Sequence, residues 1–108
     1  MATLYLKDTG YRIFARNYRI AAGEIDLIVG KDGYLIFVEV KYRSNSRHGS
    51  PESAVTSAKQ RQISKVAVYY MKRYGYYPYN TPVRFDVIAV TENEIRHIKD
   101  AFPYQGYY

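Results

Sequence analysis

The sequence predicts a mixed α/β fold whose elements follow the order αβββαββ, with a mixed central sheet and flanking helices. Three observations carry this prediction: short apolar runs with strand-like alternation, an Asp-Gly turn between two of them, and one long segment with helical periodicity. The chain has 108 residues, 47% hydrophobic and 24% charged, which suits one compact domain with a modest core. We therefore expect a single domain over residues 1–108.

The first two elements are a short helix and a strand. Residues Ala2 to Lys7 favour a helix that ends near Gly10. From Tyr11 to Asn17, apolar residues alternate with arginine and phenylalanine, which indicates a strand with both faces partly covered.

The next two strands are predicted to form a hairpin. Asp32-Gly33 is a preferred two-residue turn, because both central residues must adopt positive φ. The strand before the turn alternates, which places Ile25, Leu27 and Val29 on one face and Glu24, Asp26 and Ile28 on the other. The strand after it, Tyr34 to Tyr42, is too apolar for an exposed edge, so we expect it to be central.

A polar, basic loop after Lys41 leads to a long helix and two more strands. Ser50 is the predicted N-cap, Pro51 the first helical residue and Gly75 the residue that ends the helix. The apolar stripe of this helix contains Val55, Ile63, Val66, Ala67 and Tyr70. The segments 81–90 and 94–99 predict the last two strands, joined by a polar turn.

The hairpin brings like charges together. Counting outward from its turn places Asp26 opposite Glu39 and Glu24 opposite Lys41. Opposed carboxylates destabilise a strand pair, and their apolar neighbours imply partial desolvation. A divalent cation resolves this conflict, and Mg²⁺ prefers carboxylate, water and phosphate oxygens, so the pattern predicts a phosphodiester site. The alternative, exposed cross-strand salt bridges on a solvated face, remains open.

The amino-acid composition restricts the classes of molecule and metal that the protein is expected to bind. A net charge of +6 and a pI near 9.5 favour a polyanion, with nucleic acid the first candidate. No apolar run is long enough to span a membrane, and the first ten residues do not resemble an export leader, so we expect a cytoplasmic protein. The absence of cysteine excludes thiolate sites and favours a hard metal, Mg²⁺ or Mn²⁺.

Two motifs resemble a known nuclease signature. Gly23-Glu24-Ile25-Asp26 and Phe37-Val38-Glu39-Val40-Lys41 resemble the D…ExK pattern of the restriction-endonuclease-like PD-(D/E)xK superfamily. Nearly the whole chain resembles the YraN family of Holliday-junction-resolvase-like proteins, with further matches at Tyr5-Leu6, Gly10, Arg16-Asn17, Lys59, Ala67 and Arg84-Phe85-Asp86-Val87. The resemblance implies a restriction-endonuclease-like core and Mg²⁺-dependent cleavage of DNA, in particular branched or junction DNA, by a homodimer.

The resemblance also assigns residue roles. It makes Asp26 and Glu39 metal ligands and catalytic residues, and Lys41 the catalytic lysine. The glutamate that family members carry ahead of the position of Ala2 is missing here, so Glu24 is the expected additional ligand.

Five further residues are predicted to contact nucleic acid. Lys59 lies inside the apolar stripe of the long helix, and the family places a lysine there, although a snorkelling lysine remains an alternative. Gln60 lies at the edge of the stripe, near Gln62 on its other side, and either glutamine could be plain surface. Arg43, Arg47 and His48 follow the catalytic strand, where basic loop residues commonly bind phosphates, unless the loop is merely solvated.

Other residues are expected to be structural. Arg84 and Asp86 predict a pair that braces the sheet, and His97 an ordinary edge-strand residue. The tyrosines of the C-terminal third suit either base stacking or a core edge or dimer surface. Two functions therefore stand beside the nuclease: a nucleic-acid-binding module with the same fold and little turnover, and a homodimeric interaction protein.

Overall fold

The computed structural model describes residues 1–43 and 55–106, and within them the elements follow the predicted order. Their bounds are α1 Ala2–Asp8, β1 Arg12–Ile20, β2 Gly23–Lys31, β3 Tyr34–Tyr42, α2 Ser57–Arg73, β4 Val83–Val90 and β5 Ile95–Ile98. Over these ranges, neither helix has the length and apolar character needed to cross a membrane. The mixed α/β prediction is confirmed.

The five strands form one sheet in the order β1-β2-β3-β4-β5. Three strand pairs are antiparallel, whereas β3 and β4 are parallel and α2 lies in the crossover between them. The central position of β3 is confirmed, and residues 35–38 are buried because both faces of this strand are covered.

Each face of the sheet packs against one helix. The α2 side buries residues that include Ile25, Ile28, Leu35, Phe37, Ile63, Val66, Tyr70, Phe85 and Val87. The α1 side buries Ala2, Leu6, Tyr11, Leu27, Val29, Ile36, Val38, Ile88 and Val90. The short helix α1 is therefore stabilised by tertiary packing, since seven residues have little helical stability alone.

The hairpin turn has the predicted geometry. Asp32 and Gly33 have φ values of 53° and 83°, and Lys31 pairs with Tyr34. From there the antiparallel ladder continues to Leu27 and Val38 in the predicted register.

One part of the predicted face assignment is wrong. Ile25 packs on the α2 side with Ile28, whereas Leu27 and Val29 pack on the α1 side. The change coincides with Asn17 on β1, which lies between the residues that pair with Leu27 and Ile25 and has a φ of 50°. Asparagine tolerates this left-handed conformation, and the strand changes the face of its side chains there.

The long helix starts later than predicted. Ser50 and Pro51 lie outside the described residues, but Val55 and Thr56 are not helical, and the Thr56 hydroxyl caps α2 by accepting a hydrogen bond of 3.1 Å from the Lys59 amide. Val55 is nevertheless buried, at 3% exposure. Gly75, with a φ of 78°, follows the end of the helix as predicted.

A buried polar network fastens α1 to the far edge of the sheet. Arg84 donates two hydrogen bonds of 2.9 and 3.0 Å to Asp86, which is fully buried and also accepts one of 2.9 Å from the Asp100 amide. His97 Nε2 lies 2.7 Å from Asp86, and its Nδ1 lies 2.9 Å from the Tyr5 hydroxyl. His97 is therefore no ordinary edge residue. Burial alone would raise the pKa of Asp86, but these hydrogen bonds outweigh it and lower the pKa.

Candidate functional site

The predicted carboxylates lie where β2 and β3 separate. Their ladder ends at Leu27 and Val38, while β2 continues beside β1 down to Gly23. Just past the last pair, Oδ2 of Asp26 accepts a hydrogen bond of 2.7 Å from the Val40 amide. The Asp26 side chain thus takes the place of a backbone acceptor, and it is anchored in the gap between the two strands.

Glu39 lies beside Asp26 and is almost completely buried, at 6% exposure. Burial, followed by the hydrogen bond to Asp26 and the negative charge of Asp26, raises the pKa of Glu39 from 4.5 to about 7. Lys59 and Lys41 oppose this shift. Glu39 beside Asp26 therefore holds its proton more tightly than an ordinary glutamate and is only partly ionised at neutral pH.

Two ammonium groups flank the buried carboxylate. Nζ of Lys41 lies 3.5 Å from Oε2 of Glu39, and Nζ of Lys59 lies 3.9 Å from the same oxygen. Lys41 belongs to the same strand as Glu39, while Lys59 is the third residue of α2. Both lysines are partly exposed, so solvent reaches the positive charges beside Glu39.

Gln62 is part of the site, although it was not among the predicted site residues. Its Oε1 accepts a hydrogen bond of 3.1 Å from Nζ of Lys59. The side chain also lies on Gly23, whose φ of 153° is rarely adopted by residues with a side chain, so β2 favours glycine at this point. The spacing of three residues from Lys59 places both on one helix face and is the sequence signal that could have selected Gln62 over Gln60.

Glu24 does not join the pair. Its Oε2 lies 3.0 Å from Nη2 of Arg19, its cross-strand partner on β1. Within the described ranges, no three His, Asp or Glu side chains are grouped so that they could hold a metal. Glu24 lies away from Asp26 and Glu39 because β2 pairs with β1 rather than β3 at this level, which places its side chain next to Arg19.

The residues predicted to contact nucleic acid do not all lie at the carboxylate pair. Lys59 lies at the carboxylate pair, whereas the side-chain amide of Gln60 donates a hydrogen bond of 3.0 Å to the Val55 carbonyl and so helps fix the start of α2. Arg43 is partly buried directly after β3, and its backbone N–H binds the Val90 carbonyl. Arg47 and His48 lie outside the described residues.

Comparison with known proteins places these residues in a family. The family model described as "Uncharacterised protein family UPF0102" matches residues 1–90. A UPF0102 protein of Lachnoclostridium phytofermentans is 50% identical over 105 residues, covering 97% of this chain and 88% of the relative. A UPF0102 protein of Symbiobacterium thermophilum is 51% identical over 89 residues, covering 82% and 74%, respectively. A third relative, from Clostridioides difficile, is 44% identical over 104 residues, covering 94% and 90%. This chain therefore belongs to the UPF0102 family, the family that the sequence resemblance names YraN.

Proposed function

We propose that this protein is a metal-dependent endonuclease that hydrolyses phosphodiester bonds in DNA. The observation that carries the proposal is the pair of adjoining carboxyl groups, Asp26 and Glu39, in the gap between two strands, with Lys41 and Lys59 beside it. A buried carboxyl group next to a second, half-buried one is unfavourable by itself, so a site that keeps both is expected to use them.

The pair suits a hard divalent cation. Carboxylate oxygens from two strands can meet at one point, and Mg²⁺ or Mn²⁺ accepts such a set together with water and phosphate oxygens. When bound, the cation would supply Lewis-acid polarisation of the phosphate and a lower pKa of water. Glu24 has no part in this proposal, because it pairs with Arg19.

The remaining groups act on the phosphate. The Lys41 ammonium, held 3.5 Å from Glu39, would orient the attacking water and stabilise the charge that develops on the phosphate oxygens. Lys59 would hold the phosphate in the ground state, and its hydrogen bond to Gln62 would fix the direction of its ammonium group.

The proposed substrate is branched DNA. We further propose that the protein has a restriction-endonuclease-like fold and cleaves this DNA in the cytoplasm. Support comes from the order αβββαββ, with the D…ExK residues on β2 and β3, and from the net charge of +6. The resemblance to junction-resolvase-like proteins favours branched over linear DNA and, since a junction has two-fold symmetry, a homodimer. Lys59 is proposed as the main phosphate contact among the residues of this site.

One observation favours a second candidate, a nucleic-acid-binding module with little turnover. Glu24 is ion-paired with Arg19, so two carboxylates rather than three meet at the gap between β2 and β3. Such a module would bind DNA through Lys41 and Lys59 without hydrolysing it.

Cleavage assays separate the two candidates. Purified protein is incubated with branched, flapped, single-stranded and linear duplex DNA, in Mg²⁺ or in EDTA. We expect Mg²⁺-dependent cleavage of a branched substrate, lost in Asp26→Ala and retained in Arg73→Gln, an exposed arginine at the end of α2, about 21 Å along the helix from Lys59. Binding of all substrates without cleavage of any would favour the binding module instead.

A further inference from the structure

One row of side chains crosses the sheet from Lys41 to the outer edge at β5. In the strand pairing, Lys41 on β3 lies opposite Ala89 on β4, and Ala89 lies opposite Arg96 on β5. Side chains at paired positions of neighbouring strands point to the same face of a sheet. Lys41 and Arg96 therefore lie on one face, two strands apart, with about 10 Å between their Cα atoms.

This face is the one that carries the carboxylate pair and α2. Glu39 is two residues before Lys41 on the same strand, so both side chains point the same way, and the ammonium of Lys59 from α2 lies 3.9 Å from Glu39. The neighbouring row of the sheet agrees, because Val87, which lies opposite Glu39, packs in the core on the α2 side. Arg96 is thus on the same side of the sheet as the site.

The charge of Arg96 is not neutralised by another side chain of the described residues. Arg96 is exposed, and within residues 1–43 and 55–106 it forms no ion pair. Glu94, two residues earlier, is also exposed and is not paired with it in those ranges. Ala89, between the two cations, contributes a methyl group and no charge. The row therefore presents two positive charges to whatever crosses it.

We infer that Arg96 binds a backbone phosphate of the DNA strand that is cut, and that this strand crosses the sheet from Lys41 on β3, over β4, to β5. The inference rests on the proposed function, because it takes the occupant of the site to be DNA. A DNA strand has one phosphate per about 3.4 Å of helix axis, so about 10 Å spans about three phosphates. Arg96 is therefore expected to hold a phosphate about three nucleotides from the scissile one. A guanidinium group suits this contact, since it binds phosphate through two parallel hydrogen bonds.

The phosphate at Arg96 is located by neutralising one phosphate at a time. A fluorescently labelled four-way DNA junction is prepared as a set in which each member carries a single uncharged methylphosphonate linkage, and binding is followed by anisotropy in Ca²⁺. At the phosphate that Arg96 contacts, the linkage is expected to weaken binding by the parent protein about tenfold and to leave binding by Arg96→Gln unchanged. On the unmodified junction, Arg96→Gln is expected to reduce the slope of log K against log salt by about 0.9, the value for one phosphate contact.

Three further variants make the assignment specific. Lys59→Ala locates the phosphate at the carboxylate pair, which is expected on the same strand, about three nucleotides from the phosphate coupled to Arg96. Arg96→Lys keeps the charge and is expected to retain the salt slope of the parent. Arg73→Gln removes an exposed arginine at the end of α2 and is expected to bind every member of the set like the parent. A urea-unfolding midpoint of Arg96→Gln within error of the parent shows that its loss of binding is local.

The inference is overturned if every methylphosphonate weakens the parent and Arg96→Gln equally, if Arg73→Gln has the same effect as Arg96→Gln, or if Arg96 and Lys59 couple to phosphates of different strands. The fate of the nuclease proposal is distinguishable, because these titrations measure binding without cleavage. A phosphate coupled to Arg96 in a protein that cuts no DNA refutes the nuclease and keeps the contact. Mg²⁺-dependent cleavage by a parent protein in which no phosphate couples to Arg96 does the reverse, and a parent that does not bind the junction overturns both.

Discussion

Lys41→Ala is expected to reduce the rate of DNA cleavage by at least about 10²-fold and to leave DNA affinity within a few-fold of the parent. The Lys41 ammonium lies 3.5 Å from Glu39, where it can contact the phosphate as charge develops in the transition state. An interaction made in the transition state alone lowers turnover and leaves ground-state binding almost unchanged. The measurements are single-turnover rates in Mg²⁺ and binding isotherms in Ca²⁺, at the same salt concentration.

Lys59→Ala is the matched comparison, because its ammonium approaches the same Glu39 oxygen from α2. If Lys59 holds the phosphate in the ground state, its loss weakens binding as well as the rate. Cleavage by Lys41→Ala at the rate of the parent would show that Lys41 has no catalytic role.

Glu39→Gln is expected to stabilise the metal-free protein at pH 8 by up to about 3 kcal/mol. Burial and Asp26 raise the pKa of Glu39 from 4.5 to about 7, so the folded protein holds this proton more tightly than the unfolded chain. The resulting stability is complete below about pH 4.5 and is lost as the pH rises through about 7. Glutamine removes the ionisation, so the variant should gain on the parent over this pH interval.

Urea unfolding in EDTA at a series of pH values measures this difference directly. Glu92→Gln, at an exposed carboxylate in the turn after β4, should follow the parent at every pH. Asp26→Asn should also keep or raise the melting temperature of the metal-free protein, because it removes the other charge of the pair. A fall of many degrees in both Asp26→Asn and Glu39→Gln would show that the carboxylates are structural.

Much of the architecture follows from local patterns. The hairpin was predictable because Asp32-Gly33 imposes one turn geometry, and a two-residue turn determines every pair along the ladder. The predicted pairing of Asp26 with Glu39 is not formed, because the ladder ends at Leu27 and Val38; the hydrogen bond from the Val40 amide holds the Asp26 side chain beside Glu39 instead. The prediction that like charges would be desolvated there agrees with the 6% exposure of Glu39.

The predictions that the structure contradicts failed because of non-local contacts or the conformation of a single residue. The side chains of β1 and β2 change faces at the level of Asn17, whose φ is positive, and nothing in the apolar alternation marks that position. The role of His97 depends on two contacts, one to β4 and one to α1 across 92 residues of sequence, which no window of local periodicity contains. Glu24 was predicted to be a third metal ligand. The spacing of residues in the sequence does not show that β2 separates from β3 before it reaches Glu24.

The most direct test of the central claim, that Asp26 and Glu39 form a divalent-cation site, is calorimetric titration of the metal-free protein with Mn²⁺ at about pH 8, where Glu39 is mostly ionised. We predict binding to the parent protein that is lost in both Asp26→Asn and Glu39→Gln and retained in Glu24→Gln, since Glu24 pairs with Arg19. Equal Mn²⁺ binding by the parent, Asp26→Asn and Glu39→Gln, or no binding by the parent, would contradict the account.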